Sequence, residues 1–179
     1  MRVLDLGGYA ALWDLAEVAP ASVVAVNLDP RGSSSDLVEY VQADACDLPE
    51  ALRRRDFDLV FSNSLLEHLG GHVQRVKFAD TVAKAAPHHW IQTPYRYFPV
   101  EPHWVVPFMQ FLPFRARLAI AEHWPHGPAN SDTRDRGRAI DEVAMVELVG
   151  ITEMRRYFPG SVIWRERFSG LVKSIIAVR

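Results

Sequence analysis

Features that would assign the protein to a compartment or to a class of partner are scarce in the sequence. Its 179 residues contain one cysteine, Cys46, which excludes an intrachain disulfide and a zinc cluster built on cysteine ligands. No run approaches the ~18 consecutive apolar residues that a membrane-spanning helix needs, and the first residues read as a core strand rather than a cleavable signal. We therefore expect a cytoplasmic protein without a transmembrane segment.

An excess of basic charge is also missing. Lys and Arg number 20 against 22 Asp and Glu, which gives a formal charge of -2. Basic residues gather only at 53–55 and 134–138, and acidic residues interrupt or follow both stretches. Because a phosphate backbone is bound mainly through basic side chains, the sequence does not predict nucleic-acid binding.

What is present is the composition of a globular domain. Hydrophobic residues make up 49% of the chain, aromatic residues 11% and charged residues 23%, which argues against long disordered, collagen-like or coiled-coil segments. The length fits one domain, so we treat residues 1–179 as a single domain.

Short apolar runs alternate with helical patterns from residue 3 to residue 93, which predicts βαβ units and a mostly parallel sheet. Strands are predicted at 3–6, 22–26, 38–43, 57–61 and 90–91, and helices at 10–18, 49–54 and 73–86. Near the end, residues 161–168 and 171–178 predict an antiparallel hairpin, preceded by helices at 141–148 and 152–157.

The segment from about 94 to 138 interrupts this order. It is too rich in proline for another regular βαβ unit, so we predict a lid-like insertion there. Within it, residues 105–121 are nearly all apolar and predict one or two short helices broken at Pro107 and Pro113. Residues 130–138 predict a polar loop.

Polar residues follow the predicted strands where each one ends, and the carboxyl ends of parallel strands share one edge of the sheet. They are Asp5, Asn27 or Asp29, Asp44, and Ser62 with Asn63. Gly7 and Gly8 add a tight turn with free backbone N–H groups at the same edge. Tyr9 and Ala11 replace glycines of a G-x-G-x-x-G loop, so a ligand without pyrophosphate is favoured.

Each of these groups suits one part of a nucleoside. Asn27 or Asp29 can bond ribose hydroxyls, as the acid after the second strand does in nucleotide-binding sheets. Asp44 can accept a bond from an adenine amino group, while the backbone N–H of Ala45 faces a ring nitrogen.

Taken together, residues 3–94 resemble a class I S-adenosylmethionine-dependent methyltransferase. The resemblance is carried by residues 3–8 (VLDLGG), 25–29 (AVNLD), 42–49 (QADACDLP) and 57–68 (FDLVFSNSLLEH), and the tail 158–178 resembles the closing antiparallel strands. It implies a Rossmann-like α/β fold: a mostly parallel seven-strand sheet with a C-terminal antiparallel hairpin and helices on both faces.

The resemblance also implies S-adenosyl-L-methionine as the cofactor. The residues implied to bind it are Asp5, Gly7, Gly8, Asn27, Leu28, Asp29, Asp44, Ala45, Ser62 and Asn63. By spacing from Asp5 the ribose position aligns with Asn27, and Asp29 is the second candidate. Tyr9 and Ala11 depart from the glycines usual in this family, which implies an altered methionine pocket.

Methyl transfer to a hydroxyl benefits from a general base, and three side chains are candidates for catalysis. His68 follows the fourth strand closely, and Glu101 with His103 lies in an aromatic segment after the fifth. The alternatives are a core or helix-capping histidine and an aromatic plug that only packs the lid. Glu67, His68, Glu101 and His103 are also possible metal ligands, but nothing in the sequence fixes their spacing, and no metal site is predicted.

We expect a small-molecule acceptor, methylated on a sugar, polyketide or lipid-type hydroxyl. The apolar segment 105–121 favours an apolar or lipid-linked acceptor, a membrane surface or a homodimer contact, or it is a buried lid helix. The alternative function is a non-catalytic S-adenosylmethionine- or nucleotide-binding module that acts through a partner. Since the first strand begins at residue 2 or 3, either the start is truncated or the insertion closes the site alone.

Nucleic-acid methylation is a third reading. Besides the neutral charge, Ser62-Asn63-Ser64-Leu65 stands where such enzymes carry an Asn/Asp-Pro-Pro-aromatic motif, so we set this reading aside.

Overall fold

A computed structural model describes residues 1–16, 20–29, 32–124 and 136–179 of the chain. The end of the predicted first helix (residues 17 and 18) and residues 130–135 of the predicted polar loop lie outside the described residues.

Seven strands form one sheet in the order β3-β2-β1-β4-β5-β9-β8. The first five are parallel, and β9 and β8 are antiparallel to their neighbours. The strands are β1 Arg2–Leu6, β2 Ser22–Asn27, β3 Val38–Gln42, β4 Leu59–Asn63, β5 His88–Pro94, β8 Val162–Phe168 and β9 Leu171–Val178. A separate two-stranded sheet pairs β6 (Val100–Glu101) with β7 (Val106–Pro107). The predicted parallel sheet with a closing hairpin is confirmed.

Six α-helices lie in the described part of the chain. They are α1 Ala10–Asp14, α2 Glu50–Arg53, α3 His72–Ala85, α4 Phe114–His123, α5 Arg136–Met145 and α6 Ile151–Tyr157. Two 3₁₀ turns, Leu66–His68 and Met109–Phe111, add to them. None of the described helices has the length and apolar content needed to cross a bilayer.

Side chains of β1 and β2 alternate between two hydrophobic clusters, as the period of two in a strand requires. Leu4 and Leu6 pack in the larger cluster with Phe78 of α3 and Met154 of α6. Val3 packs in a smaller cluster on the opposite face, together with Ala10 of α1. Helices therefore cover both faces, as predicted.

The predicted insertion forms a helical cap with a core of its own. Its buried residues are Trp104, Met109, Leu118, Ala121, Ala139 and Val143. Because α4 and α5 share this core, the cap extends past residue 138 to Met145, and residues 136–138 are helical rather than a loop. The short helices predicted within residues 105–121 begin later than residue 105. Val106 and Pro107 form β7, the 3₁₀ turn Met109–Phe111 follows, and α4 starts after Pro113, a residue suited to a helix start.

One buried arginine fastens the cap side of the chain to the sheet side. Arg75 of α3 is 1% exposed, and its guanidinium donates to the carbonyl oxygens of Leu66 (3.1 Å) and Glu147 (2.7 Å). It also pairs with the Glu147 carboxylate at 3.0 Å. The turn that contains His68 is thereby held against the segment that follows α5.

Arg75→Met should destabilise the fold. It removes three polar contacts and leaves two carbonyl groups without their donor, so we expect the free energy of unfolding to fall by about 2–4 kcal/mol. Lys84→Ala, which breaks only an exposed ion pair with Asp80 on the same helix, should change it by no more than about 0.5 kcal/mol. Urea unfolding measures both values, and equal effects would contradict the role given to Arg75.

Candidate active site

The turn between β1 and α1 leaves no room for side chains. Gly7 has a φ of +88°, and a Cβ there would lie 3.0 Å from Leu65 side-chain atoms. A Cβ on Gly8 would overlap the Asp5 carboxylate. The backbone of this turn, called the glycine turn below, therefore lies very close to β1 and to the turn after β4 (residues 64–68, the β4 turn). Only glycine allows so close an approach.

Asp5 is a buried carboxyl group at the end of β1. It is 1% exposed, and Trp13 Nε1 donates to its Oδ2 at 2.7 Å, while Oδ1 has no hydrogen-bond partner among the described residues. Burial raises the pKa of Asp5 to about 6, against which the Trp13 hydrogen bond acts. The Asp5 carboxyl group thus lies directly against Gly8 of the glycine turn.

The second strand ends in side chains that hold the same turn. Asn27 donates to the carbonyl oxygen of Gly7 at 2.9 Å and accepts from the backbone N–H of Asp29 at 3.1 Å. Tyr9 donates its hydroxyl to Asp29 Oδ2 at 3.1 Å. The Asn27 amide is therefore engaged with the protein on both sides, whereas the sequence suggested that it was free to bond two ribose hydroxyls.

The other predicted cofactor residues divide into exposed and buried ones. Leu28 is 67% exposed beside the end of β2, and Asp44 and Asn63 are exposed at the ends of β3 and β4, whereas Ala45 is buried. Asp44 Oδ1 accepts from the backbone N–H of Cys46 at 2.7 Å. Ser62 is buried inside β4 and donates to the carbonyl oxygen of Leu6 at 2.8 Å, so its hydroxyl ties two strands together rather than facing the edge.

Ser64 turns the chain sharply out of β4. Its φ of +57° is unusual for a residue with a side chain, and Gln92 Oε1 accepts from both its N–H and its hydroxyl at 3.1 Å. Leu65, which comes next, lies against Gly7, and the 3₁₀ turn that follows it ends at His68. One short segment therefore joins the glycine turn to the histidine.

The three predicted catalytic residues are brought together. Glu101 Oε1 accepts from His103 Nδ1 at 2.6 Å, and His103 Nε2 lies 3.0 Å from His68 Nε2. Glu101 Oε2 accepts the backbone N–H groups of His103 (2.8 Å) and Trp104 (2.9 Å), which fixes the carboxylate. The chain Glu101–His103–His68 thus joins the cap to the β4 turn.

Glu67 completes a cluster with His68, Glu101 and His103, and it was not among the residues predicted to be catalytic. It is fully buried, and Thr93 of β5 donates to its Oε2 at 2.9 Å. Its Oε1 lies 3.9 Å from His68 Nε2 and has no hydrogen-bond partner among the described residues. The sequence contained a signal for Glu67, because it directly precedes His68 in the segment 57–68 (FDLVFSNSLLEH).

The electrostatics of the cluster differ from residue to residue. Burial raises the pKa of Glu67, and burial together with the charge of His103 lowers the pKa of His68 to about 4. For His103, burial lowers the pKa, but the hydrogen bond and charge of Glu101 outweigh it, so the net shift is upward.

Two cavities adjoin this group. A groove of about 760 Å³ runs along the sheet beside the ends of β4 and β5 and is lined among others by Asn63, Ser64, Tyr95, Phe98 and Pro102. A second cavity of about 370 Å³ lies under the cap and has Glu101 in its wall. Trp104 is 3% exposed in the cap core, so it is not available to stack on a ligand.

The sequence of residues 4–87 and the fold of the chain are both similar to those of methyltransferases. Residues 4–87 match the family described as "Methyltransferase domain", and no curated protein matches the chain. A Listeria monocytogenes protein assigned as an S-adenosylmethionine-dependent methyltransferase shares 12% identity and a TM-score of 0.58, with 99% of this chain and 89% of that chain covered.

Two further structures show the same fold. The N-terminal domain of EvdMO1, solved with SAH and D-fucose, has 18% identity and a TM-score of 0.56, with 99% and 74% of the two chains covered. The DhpI–SAH complex has 14% identity and a TM-score of 0.56 with the same coverage. Residues 4–87 therefore match a methyltransferase family, and the chain as described has the fold of S-adenosylmethionine-dependent methyltransferases.

Asp5→Asn should stabilise the cofactor-free protein at neutral pH. The folded-state pKa of about 6 exceeds the ordinary value of 3.8, so the stabilisation that protonated Asp5 gives is complete below pH 4 and is lost as the pH rises through 6. The variant should therefore gain up to about 3 kcal/mol over the parent protein between pH 4 and pH 7.

Urea unfolding at several pH values measures this gain. Asp36→Asn, at an exposed position, is the matched control and should show no such gain. A difference between Asp5→Asn and the parent protein that does not change with pH would contradict the assignment.

Proposed function

We propose that this protein transfers the methyl group of S-adenosyl-L-methionine to a hydroxyl of a small-molecule acceptor. The observation that carries the proposal is that the β4 turn touches both halves of the site. Leu65 packs against Gly7 of the glycine turn, and His68 of the same turn meets His103 and Glu101. These contacts support a site in which nucleoside-binding and proton-binding groups lie at one edge of the sheet.

The cofactor side is supported by the polar strand ends. The backbone of Gly7 and Gly8 takes the methionine portion, and Asn27, Leu28 and Asp29 form the wall at the ribose. Asp44 is exposed at the end of β3 with one oxygen bonded to the Cys46 N–H, which orients the carboxylate for an adenine amino group. Asn63 is exposed at the end of β4.

The reaction itself requires little from the protein beyond alignment. The acceptor oxygen attacks the sulfonium methyl carbon, a C–O bond forms as the C–S bond breaks, and sulfur keeps the electron pair to give S-adenosylhomocysteine. The hydroxyl proton passes to a base among the side chains of the site and is then released to solvent. Holding the two reactants in line supplies up to ~7–11 kcal/mol of the barrier reduction.

Glu101, His103 and His68 are proposed to bind or deprotonate the acceptor hydroxyl. Glu101 is held by two backbone N–H groups, and it in turn fixes the ring of His103. His68 is partly exposed, with 35% of its side chain accessible, so an acceptor can reach the pair from solvent.

The surroundings support an acceptor with apolar parts. The 760 Å³ groove combines Tyr95, Phe98 and Pro102 with the polar Asn63 and Ser64. On the cap, Phe108, Phe111 and Phe114 are 40–58% exposed, which supports an apolar or lipid-linked acceptor or contact with a second copy of the chain. Because EvdMO1 was solved with a sugar, sugar hydroxyls are the first acceptors to test.

Asp44→Ala should weaken cofactor binding more than His103→Ala does. Loss of a charged hydrogen-bond acceptor at the adenine should raise the Kd of S-adenosylhomocysteine by about 10-fold or more, whereas His103→Ala should leave it within about threefold. Calorimetry with S-adenosylmethionine and S-adenosylhomocysteine measures both. The reverse order would mean that the cofactor and acceptor sides are interchanged.

Turnover on a panel of sugar, polyketide and lipid-type alcohols separates the enzyme from a binding module. Methylated product from the parent protein, with a loss of about 100-fold or more in His103→Ala, is the expected result. A folded protein that binds S-adenosylmethionine but methylates no acceptor would favour a module acting through a partner.

A further inference from the structure

Three side chains of the cluster offer their donor atoms to one point. His68 and His103 present Nε2 atoms 3.0 Å apart, and Glu67 Oε1 lies 3.9 Å from His68 Nε2. One donor atom from each residue lies within 4.8 Å of the others. We propose that Glu67, His68 and His103 bind one divalent first-row transition-metal ion.

The distances suit a single ion. A metal bound at ~2.0–2.2 Å to nitrogen and oxygen keeps its ligand atoms within about 4.4 Å of one another. The two measured distances fall inside that limit, and a small rotation of the Glu67 or His103 side chain brings the third inside it. His103 comes from the cap and the other two residues from the β4 turn, so the ion would bridge both parts.

Glu67 supplies an observation that points to a ligand independently. A buried carboxyl oxygen without a partner is unfavourable, because the water that solvated it has been lost. Thr93 holds only Oε2, which leaves Oε1 directed to the side where His68 lies. A cation at the common point would give Oε1 the partner that the described residues do not supply.

Glu101 has the arrangement of an outer-sphere carboxylate. Histidines that bind metals usually donate their other ring N–H to a carboxylate, which fixes the ring and leaves the second nitrogen for the ion. His103 Nδ1 donates to Glu101 at 2.6 Å, so its Nε2 is the nitrogen presented to His68. Glu101 is therefore a positioning residue for the ion site.

The donor set selects the kind of ion. Two imidazole nitrogens and one carboxylate oxygen favour ions such as Zn²⁺, Co²⁺, Fe²⁺ or Mn²⁺ over Mg²⁺ and Ca²⁺, which prefer oxygen ligands. Three protein ligands leave coordination positions open. A cation there would lower the pKa of a hydroxyl that it contacts, and this consequence rests on the proposed function, whereas ion binding itself does not.

The test is ion binding by the 179-residue chain after treatment with a chelator. Co²⁺ is followed by its visible absorption and Zn²⁺ by calorimetry, and we expect one equivalent of either. His68→Ala and His103→Ala should weaken binding by about 100-fold or more, and Glu67→Gln and Glu101→Gln by about 10–100-fold. His123→Ala changes an exposed histidine whose Nδ1 bonds the carbonyl oxygen of Ala119 in its own helix, and this matched control should bind like the parent protein.

S-adenosylhomocysteine affinity, measured on every variant, reports whether each one is folded and keeps the two proposals separate. The ion site is overturned if the parent protein binds S-adenosylhomocysteine but takes up no ion. It is also overturned if ion binding is lost equally in His123→Ala and in the cluster variants. Either result leaves the proposed methyl transfer unaffected. Ion uptake by a protein that binds no S-adenosylhomocysteine would overturn the proposed function and not the ion site. Loss of the Co²⁺ absorption in Glu101→Gln with circular dichroism unchanged supports the positioning role.

Discussion

The contact between Leu65 and Gly7 is the constraint on which the rest of the site depends. The glycine turn after β1 runs so close to the turn after β4 that a side chain on Gly7 would press on Leu65. Ser64 makes this approach possible by entering the left-handed region, and Gln92 stabilises it there. Because the same turn continues into Glu67 and His68, the position of the glycine turn and that of the cluster are set by one packing contact.

The cap is coupled to this edge through polar contacts as well as through its own apolar core. Glu101 lies in β6 at the start of the cap, and its fixed carboxylate orients His103 toward His68. Arg75 holds the other end of the cap, where Glu147 donates its N–H to the carbonyl oxygen of Glu67 at 2.9 Å. A movement of the cap would therefore change the distance between the two histidines, so the proposed acceptor side depends on the position of the cap.

How much of this follows from the sequence depends on whether a feature is local. The parallel strands could be predicted because their apolar runs end at Gly7, Asn27 and Asp44, each a local signal. An insertion could be predicted at the cap, but its structure could not. Helices α4 and α5 are stable through a shared core whose residues are far apart in the chain, and Pro107 joins a two-stranded sheet that has no local signature. The pairing of His68 with His103 depends on that cap, so the residues could be selected from the sequence but not their geometry.

Two buried carboxyl groups flank the constraint described above, and both are costly to the fold. Asp5 and Glu67 each have one oxygen bonded to a neighbouring side chain and one without a partner in the described part of the chain, and burial raises the pKa of both. A sequence selected for stability alone would replace such groups by amides or apolar residues. Asp5 lies just before the glycine turn, and Glu67 lies in the turn that joins it to the histidine pair. The unfavourable carboxyl groups are therefore concentrated where the chemistry is proposed to occur.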